Sequence, residues 1–189
     1  KATLASLPSH LGVRIRLSVL AENGGKTILD EVEQSLRDRI GQYIYGKNEE
    51  TLESKVGQLL TDKSMTVSMA ESCTGGLIGH LLTQISGSSN YFKEGFVVYS
   101  NDAKVSRLGV EQQVLDEHGA VSEPVARLMA EGVRRVSGAD IGVSVTGISG
   151  PTGGSEKKPV GLTFIAVSDS AGTWCGKYVY THDRIKNKE

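Results

Sequence analysis

The sequence predicts an α/β fold: a three-layer α/β/α arrangement around a mixed, mainly parallel sheet, preceded by an N-terminal α+β fragment. Three observations predict it. From residue 49 onward, short apolar runs of strand character interleave with segments of helical periodicity. The last two strand-like runs follow one another with no helix between them, which calls for an antiparallel edge. Hydrophobic residues make up 38% and charged residues 23% of the 189 positions, enough to bury a core.

Residues 13–20 alternate apolar and polar and read as a half-buried strand. A turn at Glu22-Asn23-Gly24-Gly25 leads into a helix whose stripe is Leu29, Val32, Leu36, Ile40 and Ile44. One strand and one helix cannot enclose a core, so residues 1–46 are expected to be the end of a domain whose first part lies upstream of Lys1. A second unit, 47–189, opens with a helix carrying Leu52, Val56, Leu59 and Leu60. A strand at 65–69, a helix at 74–85, a strand at 95–99 and short helices at 101–108 and 111–117 follow. Ser122 and Pro124 mark the start of a longer helix with a stripe of Val125, Leu128, Met129, Val133 and Val136. Strands are expected at 141–145, 160–167 and 173–180, before a polar run at 183–189.

Composition excludes several function classes. Lys+Arg is 21 and Asp+Glu 22, a net charge of -1, which gives no electrostatic footprint for nucleic acid. No apolar run reaches the ~18 residues of a membrane span. No signal-peptide core follows Lys1, and two cysteines, Cys73 and Cys175, make no disulfide framework, so a cytoplasmic location is expected. Four scattered histidines without paired cysteines predict no structural metal site.

Three polar loops, each after a predicted strand, are candidates for chemistry, because sites in open α/β sheets gather at the carboxyl ends of strands. In Ala70-Glu71-Ser72-Cys73-Thr74-Gly75-Gly76 a hydroxyl stands beside the free N–H groups of a helix start. The plain alternative is a capping residue with glycines for tight packing. In Tyr99-Ser100-Asn101-Asp102-Ala103-Lys104, Ser100 or Asn101 would cap a helix with Lys104 in its first turn. A dry site there would lower the lysine pKa and free an amine base, against the alternative of a solvated surface lysine. In Thr146-Gly147-Ile148-Ser149-Gly150-Pro151-Thr152-Gly153-Gly154-Ser155 the glycines allow backbone N–H groups to approach an anion, the alternative being a connector. Together they suggest Ser–Lys acyl transfer on a phosphate-bearing molecule.

These segments resemble the CinA C-terminal domain family, in AESCTGG (70–76), the Gly87-Ser88-Ser89 to Phe92 turn, GFVVYSNDAK (95–104), HGAVSEPVA (118–126), VTGISGPTGGSEKKPVG (145–161) and THDR (181–184). Residues 1–46 resemble the tail of the KH-like middle domain that precedes it in full-length members. The resemblance implies hydrolysis of the carboxamide of nicotinamide mononucleotide to nicotinate mononucleotide and ammonia, with no metal or cofactor. It places the nucleophile on Ser72 and the base on Lys104, with Tyr99 beside them and an oxyanion held at the helix start. Thr74, Gly75, Gly76, Asn101, Thr146, Gly147, Gly150, Gly153, Gly154 and Arg184 are expected to bind substrate, Arg184 through its phosphate. The resemblance also implies a homo-oligomer, a dimer or higher, and a C-terminal helix after the Asp-Arg segment. The competing reading is a non-catalytic nucleotide-binding or interaction module of a competence/damage-inducible protein.

Overall fold

The computed structural model describes residues 2–9, 11–20 and 24–189. The chain divides into two compact units, Lys1–Leu52 and Glu53–Glu189.

In the first unit, β1 (Ala2–Ser9) and β2 (Gly12–Val19) form an antiparallel hairpin, with Ala2 opposite Val19 and Ser9 opposite Gly12. The sequence predicts β2 but not β1, whose Pro8 and mixed ATLASLPS pattern hide its alternation. Helix α1 (Gly25–Ile40) follows Gly24, which adopts a left-handed conformation. The helix ends at Ile40, one turn before the expected Ile44, in a 3-10 turn at Gly41–Tyr43. Of the turn predicted at 22–25, Glu22 and Asn23 lie outside the described residues.

The second unit is a five-stranded mixed sheet of order β4-β3-β5-β6-β7, with β3 (Val67–Glu71), β4 (Phe92–Val97), β5 (Ile141–Gly147), β6 (Leu162–Ser168) and β7 (Thr173–Val179). β3 pairs in parallel with both β4 and β5, while β5–β6 and β6–β7 are antiparallel. The sheet is therefore evenly mixed, where the sequence suggested mainly parallel. The reason is that β5 and β6 also pair antiparallel, where the 148–161 loop doubles back, beside the β6–β7 pair joined by a short turn.

β3 is buried along its whole length because helices cover both faces. Val67 and Met69 face α2 (Leu52–Asp62) and α3 (Leu77–Thr83), in a cluster with Leu60, Leu82 and Tyr91. Ala70 faces the other way, with Leu108 of α4 (Asn101–Leu108), Leu115 of α5 (Gln112–His118) and Val125, Met129 and Val133 of α6 (Glu123–Ser137). α6 also presents Ala126 and Ala130 to Leu162, Phe164 and Ala166 of β6. The small alanines, rather than the predicted Val136, complete the buried face, and Val136 is exposed. Ser122 precedes α6 without capping it, because its hydroxyl donates instead to the Gly119 carbonyl at 2.8 Å.

α6 lies so close to β5 that a Cβ on Gly142 would stand 2.2 Å from the Ala130 carbonyl oxygen and 2.7 Å from Arg134 Cβ. A helix backbone cannot yield locally, so α6 would have to lift from the sheet. Gly142→Ala is expected to lower unfolding stability by about 2–3 kcal/mol in urea denaturation, without changing the slope.

Candidate active site

The nucleophile turn begins where β3 ends. Ser72 continues the ladder through its N–H, which donates to the Val145 carbonyl at 3.0 Å. Gly75 and Gly76 take positive φ values of 68 and 100, and the Gly75 N–H closes the turn on the Ser72 carbonyl at 3.2 Å. Those φ values suit glycine, which is why the turn can be this tight. The buried Glu71 carboxylate then accepts the N–H groups of Gly76 at 3.0 Å, Ile78 at 3.2 Å and Gly79 at 2.8 Å. An internal carboxylate thus occupies three N–H groups at the start of α3. This corrects the expectation of an oxyanion held there. In the turn itself, the Cys73 and Thr74 N–H groups face the Cys73 sulfur, and among the described residues neither donates to a carbonyl or a carboxylate.

Lys104 arrives from the far side of β4. Ser100 caps α4, its hydroxyl accepting the Ala103 N–H at 3.1 Å, and Gly109 ends the helix in a left-handed conformation. Of the two candidate caps, Ser100 serves, and Asn101 is exposed at the first helical position. The helix turns Lys104 and Leu108, four residues apart, toward the sheet. Lys104 is 1% exposed, and its Nζ donates to the Val98 carbonyl at 2.8 Å and the Tyr99 carbonyl at 3.3 Å and lies 3.1 Å from Ser72 Oγ. Among the described residues it has no carboxylate partner. Burial pulls its pKa below the ordinary 10.5.

The remaining predicted residues divide. Tyr99 contributes its carbonyl to Lys104, while its ring is 62% exposed and its hydroxyl accepts from Arg184 at 3.4 Å. Arg184 also donates to the Gly150 carbonyl at 2.6 Å, which joins the third loop to the second. Gly147 packs on the first loop, where an added Cβ would stand 3.1 Å from Cys73 Sγ and 2.8 Å from the Leu162 carbonyl. Thr146 lies one step beyond the Glu71–Val145 pair, beside Ser72, but it is 1% exposed and its hydroxyl donates to the Ala120 carbonyl at 2.9 Å. Gly150 and Gly154 both crowd Val160, and Gly153 faces Ile148. The loop's glycines therefore have packing reasons of their own, and bulk at Gly147 or Gly150 would disturb the fold as well as the site. Cys73, next to Ser72, is the other nucleophilic side chain of the turn; burial pushes its thiol up, which reduces its thiolate.

Sequence reasoning passed over four residues that the structure puts at the site. Glu71 shapes the turn, and Lys188 lies 3.7 Å from where a Cβ on Gly75 would stand. Ser149 has a buried hydroxyl beside the Cys73 thiol, and the buried Thr74 hydroxyl has no partner among the described residues. Asn187 is buried against the third loop. Glu71 and Ser149 lie inside the polar loops singled out from sequence, whereas Lys188 and Asn187 depend on the three-dimensional return of the chain. Among the described residues no helix is long and apolar enough to cross a membrane, and no cluster of three or more His, Cys, Asp or Glu could hold a metal ion.

Comparison with known proteins bears on the same region. The CinA C-terminal domain family matches residues 49–189. A CinA-like protein of Salinibacter ruber is 47% identical over 188 residues, covering 99% of this chain and 46% of its own length. One from Syntrophus aciditrophicus is 52% identical over 173 residues, covering 90% and 41%. The chain thus spans a little under half the length of the curated relatives it matches. The competence/damage inducible protein CihA from Agrobacterium tumefaciens superposes with a TM-score of 0.72 at 41% identity, covering 77% of this chain and 89% of its own. A CinA superfamily protein from Escherichia coli gives 0.70 at 28% identity, covering 79% and 90%. With the family match spanning the whole sheet and all three loops, the chain belongs to the CinA family, and residues 49–189 carry its C-terminal domain.

Proposed function

We propose that the Ser72–Lys104 site hydrolyses the carboxamide of nicotinamide mononucleotide to nicotinate mononucleotide and ammonia. The observation that carries this reading is the three-way environment of the Lys104 nitrogen. Two of its neighbours, the Val98 and Tyr99 carbonyls, can only accept protons. A neutral amine spends its two N–H groups on them, and its lone pair is left for the third direction, toward Ser72 Oγ at 3.1 Å. Burial without a carboxylate partner favours that neutral form.

The steps follow. Lys104 takes the Ser72 hydroxyl proton as Oγ bonds to the carboxamide carbon, and the carbonyl π electrons move onto oxygen. The Cys73 and Thr74 N–H groups, which face the Cys73 sulfur in the resting site, are the turn's donors to that oxyanion. The Lys104 ammonium gives its proton to the departing nitrogen, the C–N bond breaks and ammonia leaves. Water then attacks the nicotinoyl ester, passing one proton to Lys104, and collapse returns that proton to Ser72 Oγ with release of the carboxylic acid, which loses its remaining proton to solvent. The cationic pyridinium ring of the substrate makes the carbonyl carbon more electrophilic throughout. Tyr99 acts through its carbonyl in orienting Lys104, and the Arg184 guanidinium supports binding of the 5′-phosphate.

Ser72→Ala is expected to lower kcat for ammonia release by roughly 10^3-fold or more, and Cys73→Ala by less than about tenfold. Lys104→Arg, which keeps the charge but cannot accept a proton at working pH, is expected to lose at least ~10^2-fold in kcat. Near-normal turnover by Lys104→Arg would reduce Lys104 to an electrostatic contact and remove the proposed base.

The same burial sets a pH dependence of stability. The folded pKa of Lys104 lies below its unfolded value of 10.5, so between the two the unfolded chain holds more protons and stability rises with pH. Lys104→Met is expected to flatten that rise on the way up to pH 10.5, and to match or exceed wild-type stability at the lower end, as read by urea denaturation.

A further inference from the structure

The C-terminal segment ties together the loops that form the site. Helix α7 (Arg184–Lys188) starts at Asp183, whose Oδ1 accepts the N–H groups of Ile185 at 3.0 Å and Lys186 at 3.1 Å. From this short helix Arg184 reaches the Gly150 carbonyl and the Tyr99 hydroxyl, and Lys188 lies against Gly75. Among the described residues neither cation is paired with a carboxylate.

What docks this segment is one buried carboxamide. Asn187 is 7% exposed, the only buried residue of α7. Its Nδ2 donates to the Ser149 carbonyl at 3.1 Å and to the His182 carbonyl at 2.8 Å, while its Oδ1 accepts the His182 N–H at 3.1 Å. A single planar group thus joins the third loop to both ends of the segment. Apolar packing does not replace it, since Ile185 is exposed.

We infer that Asn187 is a positioning residue: by fixing α7 on Ser149 it holds the Arg184 and Lys188 cations in register with the Ser72 turn, and so sets affinity for a substrate bearing a phosphate monoester. Two unpaired cations converging from one helix on the rim of a site are the chemistry that recognises such a dianion. Asn187 touches neither Ser72 nor Lys104, so its effect falls on binding. The substrate half of this inference rests on the proposed amide hydrolysis; the anion half does not.

The test uses the whole chain, with Asn187→Ala and Asn187→Asp beside the wild type. Asn187→Asp keeps the acceptor for His182 N–H but sets a carboxylate against the Ser149 and His182 carbonyls. Inorganic phosphate is expected to raise the Tm of the wild type and to leave that of both variants unmoved. With nicotinamide mononucleotide, both variants are expected to raise KM at least ~tenfold with kcat within about threefold of wild type. Equal phosphate shifts in all three proteins, no shift in the wild type, or a fall in kcat with KM unchanged would each overturn the inference. A phosphate shift that the variants lose, in a wild type that releases no ammonia, would uphold the positioning role and refute the proposed amide chemistry instead.

Discussion

A lysine buried to 1% exposure, with no carboxylate partner among the described residues, is costly to keep, and the site is arranged around it. Lys104 occupies a helix position that turns inward with Leu108, where packing alone would place an apolar residue. Its nitrogen is retained there by two carbonyls at the end of β4 and by Ser72 at the end of β3. Those contacts require the two strands to run in parallel and to end at the same level, which the Glu71–Val97 pairing provides. They also require the turn after β3 to be tight, and the Glu71 carboxylate with two left-handed glycines supplies that. Stability has been given up at one position, and the return is a nitrogen whose remaining direction faces a hydroxyl.

Much of this was legible in the sequence because the relevant signals are local. Helix α4 has its cap at Ser100 and its stop at Gly109, so its register, and with it the inward placement of Lys104, can be read from residues 100–109. Strands β5 and β6 carry enough apolar residues to be recognised alone. Strand β1 was not recognised, since its residues are exposed along most of their length and carry little hydrophobic pattern. The evenly mixed sheet was legible only in part. Sequence order shows that β6 and β7 are adjacent, but the antiparallel β5–β6 pairing depends on how the glycine loop doubles back, with Ile148 N–H on the Leu162 carbonyl.

For the site, residue types carried further than geometry did. Ser72 and Lys104 stand 32 positions apart and meet in space. Tyr99 was expected as a side chain beside them and contributes a carbonyl, because the chain turns at Ser100 and leaves the ring outside. The helix start expected to hold an oxyanion is occupied by Glu71, a residue that precedes the nucleophile and reaches forward over it. Nothing in the spacing of residues 182–188 foretold that Asn187 would fasten the tail to Ser149.

The direct measurement is the protonation of Lys104 itself. An NMR titration of the lysine side-chain resonances in the resting protein, with the Lys104 signal assigned by its loss in Lys104→Arg, follows that one nitrogen. A neutral amine facing Ser72 requires this resonance to titrate well below the group formed by the surface lysines. Titration together with that group would mean that Lys104 holds a third proton against Ser72, and that it cannot serve as the base.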